Sequence, residues 1–258
     1  MNQVRAIFLS DVHLGTAGCQ AERLLGFLRD YEAQRIYLVG DVIDLWAMRS
    51  VVAWPPAQNT VVQKLLKRAR HGVEVIFVPG NHDEPLREHV GLQFGNVRLF
   101  QEAVHETFGG QRLLVVHGDE FDPATRYSRW FALIGDHGYE WMMWVQRNIA
   151  RLRRRLGLAS HFSLAALIRT HLASARRYVE DFEQAAVRHA RELGYDGIVC
   201  GHIHHPARRQ INGMHYLNCG DWIDSCSALV EHLDGRWELV RRQSGDLDTD
   251  HALATSNA

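Results

Sequence analysis

The chain is almost without lysine. Only Lys64 and Lys67 occur, so 29 − 2 = 27 of its basic residues are arginine. Arginine's planar fork suits bidentate phosphate contacts, although a GC-rich genome would give the same bias. Net charge is also lacking. Thirty acidic residues offset 29 basic ones, leaving −1 at neutral pH, so no global field draws the protein to nucleic acid and no nucleic-acid partner is expected. Cysteine is sparse: Cys19, Cys200, Cys219 and Cys226 show no CxxC spacing. They read as free thiols in a reducing compartment. No apolar run reaches the ~20 residues of a membrane-spanning helix. The opening residues enter a strand-like run without the apolar stretch of a signal peptide. The expected location is the cytoplasm, either free or peripheral on the inner membrane.

What is present is a long chain of ordinary core content. Its 258 residues, 46% of them hydrophobic, suit one globular domain with room for an inserted subdomain. Residues 4–10 read as a buried strand, 20–33 as an amphipathic helix with Leu24, Leu25, Phe27 and Leu28 inward, and 36–39 as a second strand. A loop with Trp46, Trp54, Pro55 and Pro56 leads to a helix near 59–71 and a strand at 73–78. This βαβαβ alternation implies a largely parallel sheet, hence an α/β (α+β) fold. Residues 97–116 hold two short strands around Gly109-Gly110. From 123 to 194 no strand-like run occurs, which predicts a helical cap inserted into a core made of 1–122 and 195–243. Strands resume near 197–200, 207–211, 214–219, 227–232 and 236–241, with hairpin turns at Asn212-Gly213 and Asp234-Gly235. The polar, aperiodic 244–258 segment reads as a disordered tail.

Five motifs follow five of the strand-like runs: Asp11-Val12-His13, Gly40-Asp41-Val42-Ile43-Asp44, Gly80-Asn81-His82-Asp83, His117-Gly118-Asp119 and Gly201-His202-Ile203-His204. Each alone is a weak signal, since a histidine after a strand is usually a satisfied polar group and the glycines serve as turn residues. Together they are strong, because the C-terminal ends of strands are where open α/β sheets gather ligands. Aspartate and histidine suit borderline divalent cations such as manganese, iron or zinc. Two such ions ~4 Å apart can clamp the attacking and leaving oxygens of an in-line phosphoryl displacement.

Motif order and content resemble the calcineurin-like metallophosphoesterase family over residues 11–204. The resemblance implies a four-layer sandwich of two facing mixed β-sheets flanked by helices. It implies that Asp11, His13 and His204 hold a first ion, that Asp41 bridges, and that Asn81, His117 and His202 hold a second. His82 would act near the phosphate as acid or charge stabiliser, with Asp83 orienting it and Asp44 in an outer supporting contact. A metal-activated hydroxide would attack phosphorus, with Mn2+ as the expected metal and Fe2+ or Zn2+ as alternatives.

Within the family the chain is similar to the branch that cleaves the pyrophosphate of UDP-2,3-diacylglucosamine in lipid A biosynthesis. The similarity rests on length, His117-Gly118-Asp119, the helical insertion, and Gly201 to Pro206. It implies release of UMP and an acylated glucosamine phosphate, with acyl chains received by the cap. Asp122, Arg126 and His205 become candidate substrate contacts, with Arg169, Arg176 and Arg177 as candidate phosphate or lid arginines. The chain departs from that branch at His82, where the best-known members carry arginine, and at Gly220 to Cys226. A soluble phosphodiesterase acting on a cyclic nucleotide or other small diester is the alternative. The cap holds an aromatic series around Trp130, Trp141 and Trp144 and a basic run from Arg147 to Arg155. These suit contact with a membrane surface or acyl chains; core packing and a solvated face would explain them equally.

Overall fold

The computed structural model describes residues 2–122 and 164–242, for 164–175 the backbone alone. The described elements run β1 Asn2–Leu9, α1 Ala21–Asp30, β2 Tyr31–Val39, α2 Pro56–Arg70, β3 Glu74–Val78, β4 Gln93–Phe94, β5 Val97–Leu99, β6 Ala103–Glu106, β7 Arg112–Val115, α3 Leu164–Glu192, β8 Gly197–Cys200, β9 Ala207–Ile211, β10 Met214–Asn218, β11 Ser227–His232 and β12 Trp237–Arg241. They build two sheets, one of seven strands ordered β12-β11-β1-β2-β3-β5-β4 and one of five ordered β6-β7-β8-β10-β9. The centre of each is parallel and the edges antiparallel.

Side chains alternate across a strand, and that alternation makes two cores. Ile7, Leu9, Ile36, Leu38, Val75 and Phe77 face α1 and α2, meeting Leu24, Phe27, Val61 and Leu65. Ala6, Phe8, Tyr37, Val39, Ile76 and Val78 face the second sheet, meeting Leu113, Val115, Val199 and Leu217. Burial on both faces is why β1, β2 and β3 end as continuous apolar runs. The last turns of α3 hold to β9 and its turn: Glu183 pairs with Arg209, and Arg191 donates to the Asn212 carbonyl. Helices, two facing sheets and helix make the four layers.

Several boundaries differ from the sequence reading. The helix expected over 20–33 ends at Asp30, and β2 begins five residues earlier than expected, at Tyr31. Tyr31 is extended and buried, as is Ala33, while Glu32 and Gln34 are exposed. This period-2 pattern continues a strand where the apolar count had suggested a last helical turn. Pro56 opens α2 at its first turn, where proline's missing N–H is harmless. Residues 97–116 carry three strands, β5 in one sheet and β6 and β7 in the other.

The chain divides into two compact units, Met1–Asp119 with Glu183–Ala258, and Glu120–Phe182. Most of the expected 123–194 cap, including its tryptophans and Arg147 to Arg155, lies outside the described residues, as does the 244–258 tail. In the second unit Tyr178 donates to Asp122 Oδ2 at 2.8 Å, and Phe121 meets Phe182 edge-on. Among the described residues no helix is long and apolar enough to cross a membrane.

Candidate metal centre

All five motifs sit on loops leaving the C-terminal ends of β1, β2, β3, β7 and β8. The loops are laced together by backbone: Asp11 N–H donates to Gly40 O (3.0 Å), His13 N–H to Asp41 O (2.9 Å), Gly201 N–H to His117 O (3.0 Å) and Trp222 N–H to Asp11 O (3.0 Å). Asp11, His13, Asp41, His202 and His204 all have left-handed backbone, with φ between 51° and 68°. Non-glycine residues there cost ~1–3 kcal/mol each and persist where surrounding structure over-determines them. Gly80 and Gly201 are glycine for a different reason. A Cβ on Gly80 would overlap Asp41 and the His117 ring, and one on Gly201 would overlap Ser10 and Asp11. A turn role was the plain alternative for both; here they make room for the site's own side chains.

The side chains gather in two main groups. In the first, Asp11 Oδ1 lies 3.2 Å from His204 Nε2 and 4.0 Å from His13 Nε2. In the second, Asp41 Oδ2 lies 3.3 Å from His117 Nε2, and the His117 and His202 rings are 5.2 Å apart. The Val39 carbonyl accepts from His117 Nδ1 at 3.0 Å, which places that ring's proton on Nδ1 and turns Nε2 toward the group. His13 Nδ1 meets Asp44 Oδ2 at 2.8 Å with the same result for its Nε2. Asp41 stands with the second group; its Oδ1 accepts from His82 N–H at 2.8 Å. Asn81 precedes His82 on the loop after β3, its Oδ1 buried and unbonded.

Electrostatics follow from burying so many ionisable groups together. Burial alone would raise the Asp41 and Asp11 carboxyls. For Asp41 it is outweighed by His117 and His82, and for Asp11 by His204 and His117, so both lie below the usual carboxylate range. Burial opposes charge on His117 and His204, yet the facing aspartates raise both above the ordinary imidazole value.

One expected role is corrected. Asp83 does not face His82. It is fully buried and accepts from the backbone N–H groups of Val42 (2.9 Å), Asp41 (3.3 Å) and Gly80 (2.5 Å), tying the second motif loop to the third. Burial and the Asp41 charge push its carboxyl up. The partner of His82 is Asp44, whose Oδ1 lies 3.0 Å from His82 Nδ1. Asp44 therefore serves His13 and His82 at once and also caps Ala47 N–H at 2.7 Å. Burial raises its carboxyl, but the bonds from His13, Ala47 and His82 bring it down to about 2.

Two supporting residues escaped the sequence reading. Ser10 Oγ lies within hydrogen-bond distance of both Asp11 Oδ2 and the Val39 carbonyl, its one proton available to either. Gln58 is fully buried and grips Gly15 N–H (2.8 Å) and Thr16 O (2.7 Å) on the loop after His13. Neither carries a sequence signal beyond a polar residue at an apolar-phase position. Among the candidate substrate contacts, His205 is exposed beside the fifth motif, Asp122 is buried against Tyr178, and Arg126 lies outside the described residues. Arg176 and Arg177 are exposed on α3, and the Arg169 side chain lies outside the description.

The donor set fits divalent cations on its own terms. Asp11 Oδ1, His13 Nε2, Asn81 Oδ1 and His117 Nε2 are buried without hydrogen bonds, all at the motif loops. Buried polar atoms are normally satisfied, and each exception needs a reason. Carboxylate, amide oxygen and imidazole at this spacing are ligands for manganese, iron or zinc. The family model for calcineurin-like phosphoesterases matches residues 4–206. This chain belongs to that family.

Among curated phosphoesterase relatives, the UDP-2,3-diacylglucosamine hydrolase of Neisseria meningitidis serogroup B is 26% identical over 241 residues, 89% of this chain and 94% of that one. The enzyme of the same name from Bordetella pertussis is 29% identical over 79% of this chain and 78% of that one. Of solved structures, the Escherichia coli phosphoesterase YfcE aligns over 91% of this chain and 97% of its own, at 18% identity and a TM-score of 0.46. The calcineurin-like phosphoesterase described here is a metal-dependent hydrolase.

Proposed function

We propose that the chain hydrolyses the pyrophosphate bond of UDP-2,3-diacylglucosamine, or of a closely related nucleotide-linked lipid, giving UMP and an acylated glucosamine 1-phosphate. The observation that carries this reading is the pairing of a two-group ligand site with relatives of that name along most of the chain. Asp11, His13 and His204 would hold one ion; Asn81, His117 and His202 the other; Asp41 would serve both. Divalent ions there, Mn2+ first among them, would supply Lewis acidity and lower the pKa of water toward ~7.

The remaining chemistry belongs to the chain's own groups. His82, its side chain 28% exposed and its Nδ1 held toward Asp44, presents Nε2 beside the Asp41 group at 4.0 Å. From there it can stabilise charge on a phosphoryl oxygen or protonate the leaving group. Ser10, Gln58 and Asp83 hold the loops without touching substrate. In this reading the protein works in the cytoplasm on an amphiphile whose acyl chains lie in a membrane.

The test is release of UMP from UDP-2,3-diacylglucosamine in detergent micelles with manganese. Fast release sustains the reading. Hydrolysis of an artificial aryl phosphodiester with no UMP release would keep the metal chemistry and transfer the protein to small diesters.

A further inference from the structure

Outside the ligand groups, an exposed apolar stretch borders the site. The loop between Asp44 and α2 exposes Trp46 (50%), Val51 (71%), Val52 (56%) and Trp54 (37%) within nine residues. It is anchored at both ends, Ala53 N–H donating to Gly15 O at 3.0 Å and Met48 N–H to Asp44 O at 3.1 Å. The apolar side chains are thus displayed by a fixed backbone. Trp46 meets the His82 ring edge-on at 5.3 Å, so the apolar strip begins at the site and runs outward.

The charge carried by this segment has one sign. No aspartate or glutamate occurs from Leu45 to Val73, in a chain that has 30 in 258 residues, while Arg49, Lys64, Lys67, Arg68 and Arg70 do. Both lysines of the protein are among them. Arg49, Lys67 and Arg70 are exposed, and Leu66 stands 54% exposed beside Lys67 on the outer face of α2. Lys64 is brought down to about 8 by burial and by the positive charge of Arg68, Arg29 and Lys67. Exposed tryptophan and valine followed along α2 by exposed cations, with no carboxylate in the segment, is a composition that seats on an anionic lipid interface. A protein partner recognising this face would have to match a cationic surface with an acid-free apolar tip; a bilayer does so without specific shape.

We infer that the Trp46–Trp54 loop and the outer face of α2 form a docking surface for an anionic lipid bilayer. The surface is built from residues 45–70 of the first unit and does not depend on which phosphoester the site cleaves. It would bring the mouth of the site to the lipid plane, so that an amphiphilic substrate need not cross water to reach His82.

The test is co-sedimentation of the full chain with phosphatidylcholine vesicles, with and without phosphatidylglycerol. Binding is expected with the anionic vesicles and should fall as salt rises, because exposed charges are screened beyond a Debye length of about 10 Å at 0.1 M salt. Val51→Asp with Val52→Asp should weaken that binding about tenfold or more, and Lys67→Glu with Arg70→Glu should weaken it and flatten the salt dependence. Both variants should retain wild-type turnover of a soluble aryl phosphodiester and wild-type melting. No binding by the wild type, or equal binding by folded variants, would overturn the inference. So would a concentration-dependent dimer abolished by Val51→Asp with Val52→Asp in a chain that ignores vesicles.

Discussion

Two buried clusters in this protein use the same residue types to opposite ends. At the strand ends, Asp11, His13, Asp41 and His117 leave buried atoms without hydrogen bonds and sit partly on left-handed backbone. Between the sheets, His105 and Glu231 are both fully buried. There His105 Nε2 meets Glu231 Oε2 at 2.7 Å and His105 Nδ1 meets Tyr37 Oη at 3.1 Å. Glu231 Oε1 accepts from Phe108 N–H at 2.7 Å, and Arg5 Nε stands 3.2 Å from Oε2. Phe8 and Trp237 enclose the His105 ring at 5.1 and 5.8 Å. In the inter-sheet cluster both His105 nitrogens and both Glu231 oxygens have partners; at the strand ends Asp11 Oδ1, His13 Nε2 and His117 Nε2 are left over. Burial and residue type do not separate structure from function here, whereas the pairing of the histidine and carboxylate atoms does.

The sharpest way to break the comparison is to delete a member of each cluster. Asp41→Ala and His117→Ala should each lower hydrolysis of an aryl phosphodiester by at least about a thousandfold with manganese present, and the folded state should survive in circular dichroism. Wild-type turnover in Asp41→Ala would remove it from the site. Glu231→Ala should do the reverse. It strands His105 and Arg5 without a carboxylate and should cost about 3–5 kcal/mol in denaturant unfolding, with turnover per folded molecule unchanged. A loss of turnover without loss of stability would show that the inter-sheet cluster reaches the chemistry.

The same contrast explains what the sequence made legible. Strand-end motifs could be read because the apolar runs before them are continuous, and continuity means burial on both faces. Asp11, His13 and His204 lie together, as do Asp41, His117 and His202; the motifs had suggested Asn81, His117 and His202 for the second ion, with Asp41 between the two. The Asp44–His82 contact was not legible. Chain adjacency pointed to Asp83, but successive residues on a tight turn point apart, and Asp83 turns inward to the backbone N–H groups of the neighbouring loop. His105 gave no sign either, since its partners Tyr37 and Glu231 are 68 and 126 residues away. The left-handed backbone of five motif residues has no side-chain signature. It arises from the pairing of one loop with another, as in His13 N–H to Asp41 O.

Asp44 tests whether the rim's order is imposed from outside the ligand groups. Asp44→Asn keeps the shape and the Ala47 cap but removes the charge shared by His13 and His82. Turnover should fall about 10- to 100-fold, the range for residues that orient metal ligands. Asp83→Asn should instead lower stability, because it weakens the acceptor for the Val42, Asp41 and Gly80 N–H groups, and leave turnover per folded molecule near wild type. An equal loss of turnover per folded molecule in the two variants would return Asp83 to the role expected from adjacency.

The smallest expected effect is a slope. In the metal-free protein His117 is held protonated against Asp41, so its pKa lies above the unfolded value of 6.5. That contribution to stability is fully present below pH 6.5 and is lost as pH rises through the folded-state pKa. A bound cation needs the same Nε2 without its proton. Metal and proton therefore compete for one nitrogen, and manganese binding should release protons near neutral pH. The rise in melting temperature on adding manganese should grow as pH increases from 6 to 8, the metal-free protein losing its His117–Asp41 pair while the loaded protein does not. In His117→Ala the pH dependence of that rise should flatten. A rise that is constant across the range in the wild type would mean that His117 does not exchange its proton for the metal, and would leave the second ligand group without its imidazole from β7.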